Sequence, residues 1–461
     1  MYLIGNGRMI TRDRDKPFYE NGAVLTDGAV IKRVGDYASL KSDYPTAELL
    51  DAGGGVIMPG LINAHAHLYS SLIAGYIPKD LFPGSHYENM CKRSWKLDRE
   101  LGFYDVSAGA YAGIIGCIRN GVTTVFDHHA SYKRVGGSLF AIAGAVKEAG
   151  IRGCLCYETS HRCGFGPCSE AIAENENFIG YAETAGDDRI KAMFGLHAPF
   201  TLSDIDISDS VRRNAGRTGF HIHVSEGTED GSVCELNYGK TPVARLSELG
   251  AVTDKSILVH CIHTTEKELG LIASSGAFVV NCPQSNLSDA VGSAAVADML
   301  KMGVKVGLGT DSFTFDMLES ARALVLAERN RTGKCYVGLG EAAEALFENN
   351  RLLAETYFPK GIGSLREGAP ADIIILGRKP PTAITAENFD SQLILGASGA
   401  ECTMTMCAGR ILMINRKIVS FDENEMCGRI KNAADALWTR LDSKKEESWL
   451  PPYSILESEN S

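Results

Sequence analysis

The sequence lacks a run of about 18 consecutive apolar residues, so it contains no candidate membrane-spanning helix, and we expect no membrane partner. Its first residues, MYLIGNGRMITRDRDKP, lack the basic start and apolar stretch of a secretory signal. No CxxC motif occurs, and the thirteen cysteines are scattered, several of them inside apolar runs. An odd number of cysteines in this arrangement indicates buried, reduced thiols and a cytoplasmic protein, and it argues against a disulfide framework.

Clusters of basic residues are also missing. The chain of 461 residues carries 46 Lys and Arg against 57 Asp and Glu, a formal net charge of −11. Because nucleic-acid-binding proteins usually present a basic face or stripe, we expect no nucleic-acid partner. Hydrophobic residues make up 44% and charged residues 22% of the chain, which is typical of globular domains and excludes wholesale disorder.

The middle of the chain alternates short apolar segments with amphipathic ones, a pattern of strand followed by helix. The candidate strands cover residues 60–67, 122–127, 153–158, 191–197, 219–224, 256–260, 277–282 and 304–311. Parallel strands in this number, with helices between them, form a (β/α)₈ barrel of the TIM type, so the fold class is α/β.

Both ends of the chain are rich in short alternating strands with Gly and Asp at the turns. Residues 1–57 and 365–422 are therefore expected to form one composite β-sandwich domain built from both termini. The barrel would occupy residues 58–364, and residues 423–461 would form a C-terminal helix and tail. Residues 68–121 are expected to be an irregular lid over the strand ends.

Ionisable residues collect where the candidate strands end. His65 and His67 end the first strand, two residues apart, so both side chains point into the barrel. His223 ends the fifth strand, and Asp311 follows the eighth. The carboxyl ends of barrel strands share one mouth, and three imidazoles with a carboxylate there suit Zn²⁺, with Fe²⁺ or Mn²⁺ as alternatives.

Several longer motifs resemble those of the amidohydrolase superfamily. They are PGLINAHAHLYSSL, HIHVSE, LVHCIH, NCPQSNL, VGLGTDSFTFDMLES and GSLREGAPADIIIL. The nearest branch is that of the cytosine deaminase/atrazine chlorohydrolase-like aminohydrolases. Within it, FDHHASYKRVGGSL, CYETSHR and GLHAPFTLSD resemble the SsnA group, which is associated with bacterial purine catabolism. The resemblance covers essentially the whole chain and is specific for the branch but not for the substrate.

The resemblance implies a role for each residue that matches a family motif. The implied metal ligands are His65, His67, His223 and Asp311, with Glu226 as general acid/base and His260 as a residue that orients or polarises the attacked group. Family members with two metals usually bridge them by a carboxylated lysine at the end of the fourth strand. That strand ends here in His-Ala-Pro, so the resemblance implies one divalent metal ion, and it also implies a homodimer.

Five further residues are placed by the sequence where a substrate could be contacted: His197, Arg162, Glu158, His128 and Trp95. Each has an alternative. Arg162 and Glu158 could form an ion pair that only orders a loop, and His128 could belong to a polar loop pair. Trp95 could pack on the rim of the mouth instead of stacking on a flat ring. His86 and His161 lie in loops that could cover the mouth.

These residues predict a hydrolase acting on carbon–nitrogen bonds other than peptide bonds. The leading hypothesis is deamination of an N-heterocycle such as a purine, oxopurine or pterin, in which an activated water displaces ammonia. One alternative is hydrolytic opening of a cyclic amide or amidine, and dechlorination is another outcome of the same site. A non-catalytic metal- or ligand-binding protein is disfavoured, because all the ligands and the acid/base residue are present.

Overall fold

The computed structural model describes residues 1–78, 83–377, 382–396 and 401–443. The strands of this part of the chain are β1 (Tyr2–Ile10), β2 (Phe18–Asp27), β3 (Val30–Asp36), β4 (Glu48–Asp51), β5 (Val56–Pro59), β6 (Leu61–Ala66), β7 (Val122–His129), β8 (Arg152–Tyr157), β9 (Ile190–Ala192), β10 (Phe194–Leu196), β11 (Phe220–Val224), β12 (Ile257–His260), β13 (Phe278–Asn281), β14 (Lys305–Leu308), β15 (Ile373–Leu376), β16 (Cys402–Cys407), β17 (Arg410–Ile414) and β18 (Lys417–Ile418).

Helices follow most of the barrel strands. The α-helices are α1 (Tyr37–Asp43), α2 (His86–Asn89), α3 (Trp95–Glu100), α4 (Phe103–Arg119), α5 (Ser138–Ala149), α6 (Phe165–Thr184), α7 (Asp204–Asn214), α8 (Thr228–Tyr238), α9 (Pro242–Glu248), α10 (Glu266–Ser275), α11 (Pro283–Ser288), α12 (Val296–Lys301), α13 (Met317–Thr332), α14 (Leu339–Ala343), α15 (Asn350–Tyr357), α16 (Phe389–Ser391) and α17 (Glu423–Ser443). Short 3₁₀ turns cover Leu68–Ile73 and Pro199–Thr201, and π-helical turns cover Met90–Ser94, Glu344–Asn349 and Gln392–Gly396.

None of the helices in the described residues has, by itself, the length and apolar composition needed to cross a bilayer. The helical segments His86–Glu100 and Phe103–Arg119, bent by 115° at their junction, would meet the requirement together by length and composition alone.

Strands from both ends of the chain form one mixed sheet. Its order is β18-β17-β16-β15-β5-β1-β2-β3, with β4 paired to β1. The central pairing joins the two ends, because β15 runs antiparallel to β5 and β5 runs parallel to β1. The division of the chain at residues 57/58 and 364/365, and the two-layered packing of a sandwich, stay predictions.

The middle of the chain forms a TIM-like barrel from two parallel sheets, β6-β7-β8-β9 and β10-β11-β12-β13-β14. Isolated bridges connect the sheets on both sides, Thr159 with Leu196 and Ala66 with Asp311. At the second junction the amide of Thr310 donates to the carbonyl of His65 at 2.9 Å. A Cβ atom on Gly309 would lie 2.7 Å from that carbonyl oxygen, so only glycine allows this close approach.

Two expectations about this region need correction. The single fourth strand expected at 191–197 is two short strands, β9 and β10, separated at Met193, because β9 pairs with β8 whereas β10 pairs with β11. The stretch 68–121 is not irregular in its described part. It is mostly helical, because residues 103–119 present a buried apolar face to the barrel.

The C-terminal helix was expected from the spacing of its apolar residues, and it is present as α17. Three of its buried residues, Ala433, Leu437 and Leu441, pack in one cluster with Leu72 and Leu101. The indole nitrogen of Trp438 donates to the carbonyl of Leu72 at 2.8 Å. The helix therefore covers the segment that follows β6. Residues 444–461, the predicted tail, lie outside the described residues.

Candidate active site

A cavity of about 540 Å³ opens at the carboxyl ends of the barrel strands. Six residues that the sequence places at or just after strand ends line this cavity: His67, His197, His223, Glu226, His260 and Asp311. His65 is fully buried and lies outside the cavity lining. The strands thus bring together residues that are far apart in the sequence, as a parallel barrel requires.

Three histidines and one aspartate converge on the same space. Asp311 Oδ1 lies 3.2 Å from His67 Nε2 and 3.7 Å from His65 Nε2. The ring of His223 stacks against that of His67, with 5.4 Å between the centroids. His65 Nε2 is buried and has no hydrogen-bond partner among the described residues. A buried nitrogen without a partner is costly, and a divalent cation at this point would satisfy it.

The other ring nitrogens of these histidines bind protein atoms, which orients the rings. Nδ1 of His67 lies 2.5 Å from the carbonyl oxygen of His128, and Nδ1 of His223 lies 2.9 Å from that of His197. A carbonyl oxygen can only accept, so both Nδ1 atoms carry a proton, and in the neutral rings that bind a metal ion both Nε2 atoms would offer lone pairs. This is the usual arrangement around metal-binding histidines, and the donor set fits a divalent metal.

Asp311 is held in place from two sides. The hydroxyl of Ser285 donates to Oδ2 at 2.7 Å, and the amide of Ser312 donates to Oδ1 at 2.7 Å. The backbone of Asp311 has φ +56, and His260 at the end of β12 has φ +71. Left-handed backbone at non-glycine residues costs free energy and often occurs at functional sites. The sequence indicated Asp311 and His260 by their positions at the ends of strands, but it did not indicate their left-handed backbone conformation.

Glu226 stands beside this group and faces His260. Their side chains approach to 3.6 Å between Glu226 Oε1 and His260 Nε2. Burial raises the pKa of Glu226, but the charges of His260 and His86 outweigh it and lower the pKa to about 2. Nδ1 of His260 lies 2.8 Å from Oδ1 of Asn286, which therefore braces the ring. Glu226 is a carboxylate at neutral pH and can accept a proton.

Three of the five predicted substrate contacts line the cavity, namely Trp95, Glu158 and His197. The other two do not. His128 is fully buried, its Nδ1 lies 3.1 Å from Glu158 Oε2, and its Nε2 lies 3.0 Å from the carbonyl of His221. Both ring nitrogens are thus used inside the protein, so His128 supports its neighbours from below the cavity.

Arg162 also lies behind the cavity wall, with a side chain only 1% exposed. Its guanidinium donates to Asp98 Oδ2 and to Glu158 Oε1, both at 2.5 Å. The same group lies over the rings of Tyr132 and Trp95. The two carboxylates bind both terminal nitrogens, and the remaining Nε is buried, so the guanidinium is not exposed to grip a substrate. The alternative reading, an ion pair that orders a loop, is the one that this geometry favours.

His86, one of the two loop histidines that could cover the mouth, lines the cavity. Nδ1 of His86 lies 3.0 Å from Glu229 Oε1, and Nε2 lies 3.5 Å from Glu226 Oε1. These partners lie 143 and 140 positions further along the chain, and no local pattern relates the two regions. His161, the other loop histidine, contacts Asp206 at 3.1 Å and does not line the cavity.

A TIM-like barrel with three histidines and an aspartate around one point, and a glutamate beside them, defines the class of metal-binding barrel hydrolases. The comparison with protein families gives the particular family. The sequence model of the amidohydrolase family matches residues 56–412, and the chain belongs to that family. It is a hydrolase of carbon–nitrogen bonds other than peptide bonds, and the expected likeness to the aminohydrolase branch is confirmed. The closer likeness to the SsnA group stays a prediction.

Curated relatives match over nearly their full length. A 5-methylthioadenosine/S-adenosylhomocysteine deaminase from Pelotomaculum thermopropionicum is 28% identical over 448 residues, which cover 95% of this chain and 99% of that protein. A 5'-deoxyadenosine deaminase from Methanosarcina barkeri is 27% identical and covers 96% of this chain and 99% of its own.

Solved structures share the fold. An adenosine deaminase from Xanthomonas campestris with bound zinc superposes with a TM-score of 0.83 at 23% identity, covering 95% of this chain and 98% of that one. A variant of the atrazine chlorohydrolase TrzN from Arthrobacter aurescens TC1, with zinc and atraton, has a TM-score of 0.81 at 20% identity and covers 94% of this chain and all of its own (100%).

Proposed function

We propose that this protein is a hydrolytic deaminase of an amino-substituted purine-type ring, free or as its nucleoside, and that it uses one zinc ion. The observation that carries the proposal is the cluster of His65, His67, His223 and Asp311 at and behind the cavity lining, with Glu226 lining the same cavity. The names of the relatives add support, since those proteins are deaminases of adenine nucleosides.

The cavity supports a ligand larger than a bare metal ion and its water. Its volume of about 540 Å³ is within the usual range for small-molecule sites. Trp95 offers a flat apolar surface at the wall, and Glu158 and His197 offer polar atoms. A planar heterocycle with donors and acceptors along its edges suits such walls.

A divalent ion held by these four residues would supply a Lewis acid that lowers the pKa of water to about 7. The residues themselves account for the proton transfers. Asp311 accepts a proton from the attacking water, while Ser285 and the Ser312 amide keep its carboxylate oriented. His260, braced by Asn286, faces the developing oxyanion and can polarise the attacked carbon.

Glu226 is placed to move the remaining protons. The proton that Asp311 takes from the attacking water passes through Glu226 to the ring nitrogen beside the attacked carbon as the new C–O bond forms. Glu226 then takes the second proton of that water from the new hydroxyl and delivers it to the departing amine. The C–N bond breaks, ammonia leaves, and the ring keeps an oxygen in place of the amino group. Deaminases of unrelated fold use a glutamate that is not a metal ligand in the same way.

The decisive experiment measures ammonia release and ultraviolet spectra in parallel, with zinc-loaded protein. The substrates are adenine, guanine, adenosine, 5'-deoxyadenosine, 5'-methylthioadenosine, S-adenosylhomocysteine, aminopterins and cytosine. Ammonia in step with the spectral change on an aminopurine compound supports the proposal. A spectral change without ammonia replaces deamination by ring opening, and no change in either signal contradicts the substrate class.

Two further expectations from the sequence accompany the proposal. A homodimer is expected from the family resemblance, and light scattering of purified protein would give a mass twice that of the 49.6 kDa chain. The cytoplasmic location indicated by the cysteines stays a prediction that fractionation of the source cells would test.

A further inference from the structure

His86 begins helix α2 and lies between two glutamates at the cavity mouth. Each ring nitrogen faces one carboxylate, with Glu229 Oε1 3.0 Å from Nδ1 and Glu226 Oε1 3.5 Å from Nε2. The side chain of His86 is only 12% exposed. The two glutamates themselves belong to the loop and helix that follow β11, the strand that ends in His223.

Neither neutral form of imidazole suits this position. A neutral ring has one N–H donor and one lone pair, so one of its nitrogens would turn a lone pair toward a carboxylate. Only the imidazolium offers a donor to both glutamates. Burial lowers the pKa of His86, but the charges and hydrogen bonds of Glu226 and Glu229 outweigh it and raise the pKa to about 11.

The other charged groups around His86 do not change this conclusion. Asp289 on the neighbouring loop adds a third carboxylate within reach of the ring. The side-chain amide of Asn89 donates to Asp289 at 3.4 Å, and the charge of Arg93 acts on the same carboxyl. Because the surroundings of His86 carry three carboxylates, a cation at His86 is favoured.

The segment that carries His86 is fixed to the barrel by apolar contacts. Tyr87 packs edge-on against Trp95 and against Phe200, with ring centroids 5.7 Å and 6.1 Å apart. Val233 of α8 belongs to the same cluster. His86 is therefore presented to Glu226 from a fixed backbone, on the segment that also carries the cavity residue Trp95.

We propose that His86 is a positioning residue for the acid/base chemistry, which bridges Glu226 and Glu229 as an imidazolium and holds the Glu226 carboxylate toward the cavity. The inference rests on the proposed role of Glu226. The bridge connects the segment that carries His86 and Trp95 to Glu226. It thereby keeps this wall of the cavity and the acid/base residue in a fixed relative position.

The kinetic test compares His86→Ala with His86→Arg at saturating zinc. A loss of the bridge leaves Glu226 free to turn away, so kcat of His86→Ala falls about 10- to 100-fold. The change in KM stays below about threefold, since transition-state rather than ground-state contacts are lost. An arginine can donate to two carboxylates at once, so His86→Arg recovers most of kcat.

The controls separate this inference from the proposed function. His263→Gln changes an exposed loop histidine that binds the carbonyl of Val291 and lies away from the cavity, and it keeps wild-type kinetics. Zinc content stays at the wild-type level in all variants. Wild-type kcat in His86→Ala would overturn the inference and leave the deaminase proposal intact.

A second readout does not depend on turnover. In protein labelled with ¹⁵N-histidine, the His86 resonances, assigned by their loss in His86→Arg, show two protonated ring nitrogens at pH 8.5. The same resonances become those of a neutral ring in the Glu226→Gln, Glu229→Gln double variant. A neutral His86 ring in wild-type protein at that pH would contradict the bridge even if no substrate is found.

Discussion

Nδ1 of His65 lies 2.8 Å from Nε2 of His221, and both rings are fully buried. If His65 binds a metal through Nε2, its Nδ1 carries the proton and donates to His221. His221 Nε2 then accepts, so His221 carries its own proton on Nδ1, 3.7 Å from the sulfur of Cys156. This contact gives His221 the task of orienting a proposed metal ligand.

The His221→Phe substitution tests that task. The ring stays large and apolar, but His65 loses the acceptor that fixes its orientation and tautomer, so zinc affinity falls about 10- to 100-fold. Competition with a chromogenic chelator measures the affinity. The matched control is His129→Phe, because His129 is equally buried but binds Ser131. Equal zinc affinity in His221→Phe and wild type would contradict the proposed orientation.

The ligand set makes a direct prediction about metal content. Asp311→Asn and His67→Ala each remove one of the proposed ligands, so zinc per chain in purified, dialysed protein falls well below the wild-type value. Inductively coupled plasma mass spectrometry gives the ratio, and circular dichroism confirms that the variants are folded. One zinc per chain in both variants would show that the ligands lie elsewhere.

Glu226→Gln separates metal binding from proton transfer. The amide keeps the size of the side chain but cannot accept or deliver the proton, so kcat falls by about 10²–10⁴-fold. Zinc content remains that of the wild type, because Glu226 is not among the proposed ligands. If the variant deaminated at the wild-type rate, another group would have to serve as acid/base residue.

Arg162 is predicted to stabilise the folded protein through its buried ion pairs with Asp98 and Glu158. Arg162→Leu leaves Asp98 and Glu158 buried without their cation, and breaking a buried ion pair in this way costs about 3–5 kcal/mol of unfolding free energy. Urea unfolding followed by fluorescence measures the loss. Arg212→Leu is the control, since Arg212 pairs with Asp209 on the surface and its loss costs about 0–1 kcal/mol. Similar losses in both variants would exclude a structural role for the Arg162 pair.

The lowered pKa of Asp206 predicts that the free energy of unfolding depends on pH in the acid range. Burial raises the pKa of Asp206, but hydrogen bonds from His161 and Ser203 outweigh it and hold the pKa below the usual value. The folded state therefore binds this proton less tightly than the unfolded state, and the stabilisation is present above about pH 4 and lost as the pH falls further. The urea midpoints of wild type and Asp206→Asn differ at pH 6, and the difference shrinks at pH 3.5. A constant difference at the two values would contradict the shift.

The strand-end residues could be predicted because their local pattern carries the information. Period-two alternation places His65 and His67 on one side of a strand, and the parallel barrel brings all such ends to one mouth. The cavity contains the strand-end residues, except for His65 just beneath it. Helix α17 was predictable for the same reason, since its apolar spacing is local.

The remaining contacts depend on tertiary geometry. No spacing in the sequence relates His86 to Glu229, or Arg162 to Asp98, because these pairs are joined only when a loop is laid over the strand ends. Sequence reasoning predicted Arg162 and His128 as substrate contacts, but neither lines the cavity, because whether a side chain faces the cavity or the wall behind it is decided by its partners. The break of the fourth strand at Met193 is of the same kind, since β9 pairs with β8 and β10 with β11, and no local pattern indicates this change of partner.

The junction of the barrel lies directly under the proposed metal ligands. The side-chain amide of Asn63, on the first barrel strand, donates to the hydroxyl of Thr310, which follows the last barrel strand 247 positions further along the chain. The carbonyl of His65 accepts from the backbone amides of Thr310 and Asp311. A nascent chain thus holds His65 and His67 long before it holds Asp311. The proposed ligand set would be complete only when the two ends of the barrel meet, so we expect tight metal uptake to come late in folding and to mark the closure of the barrel.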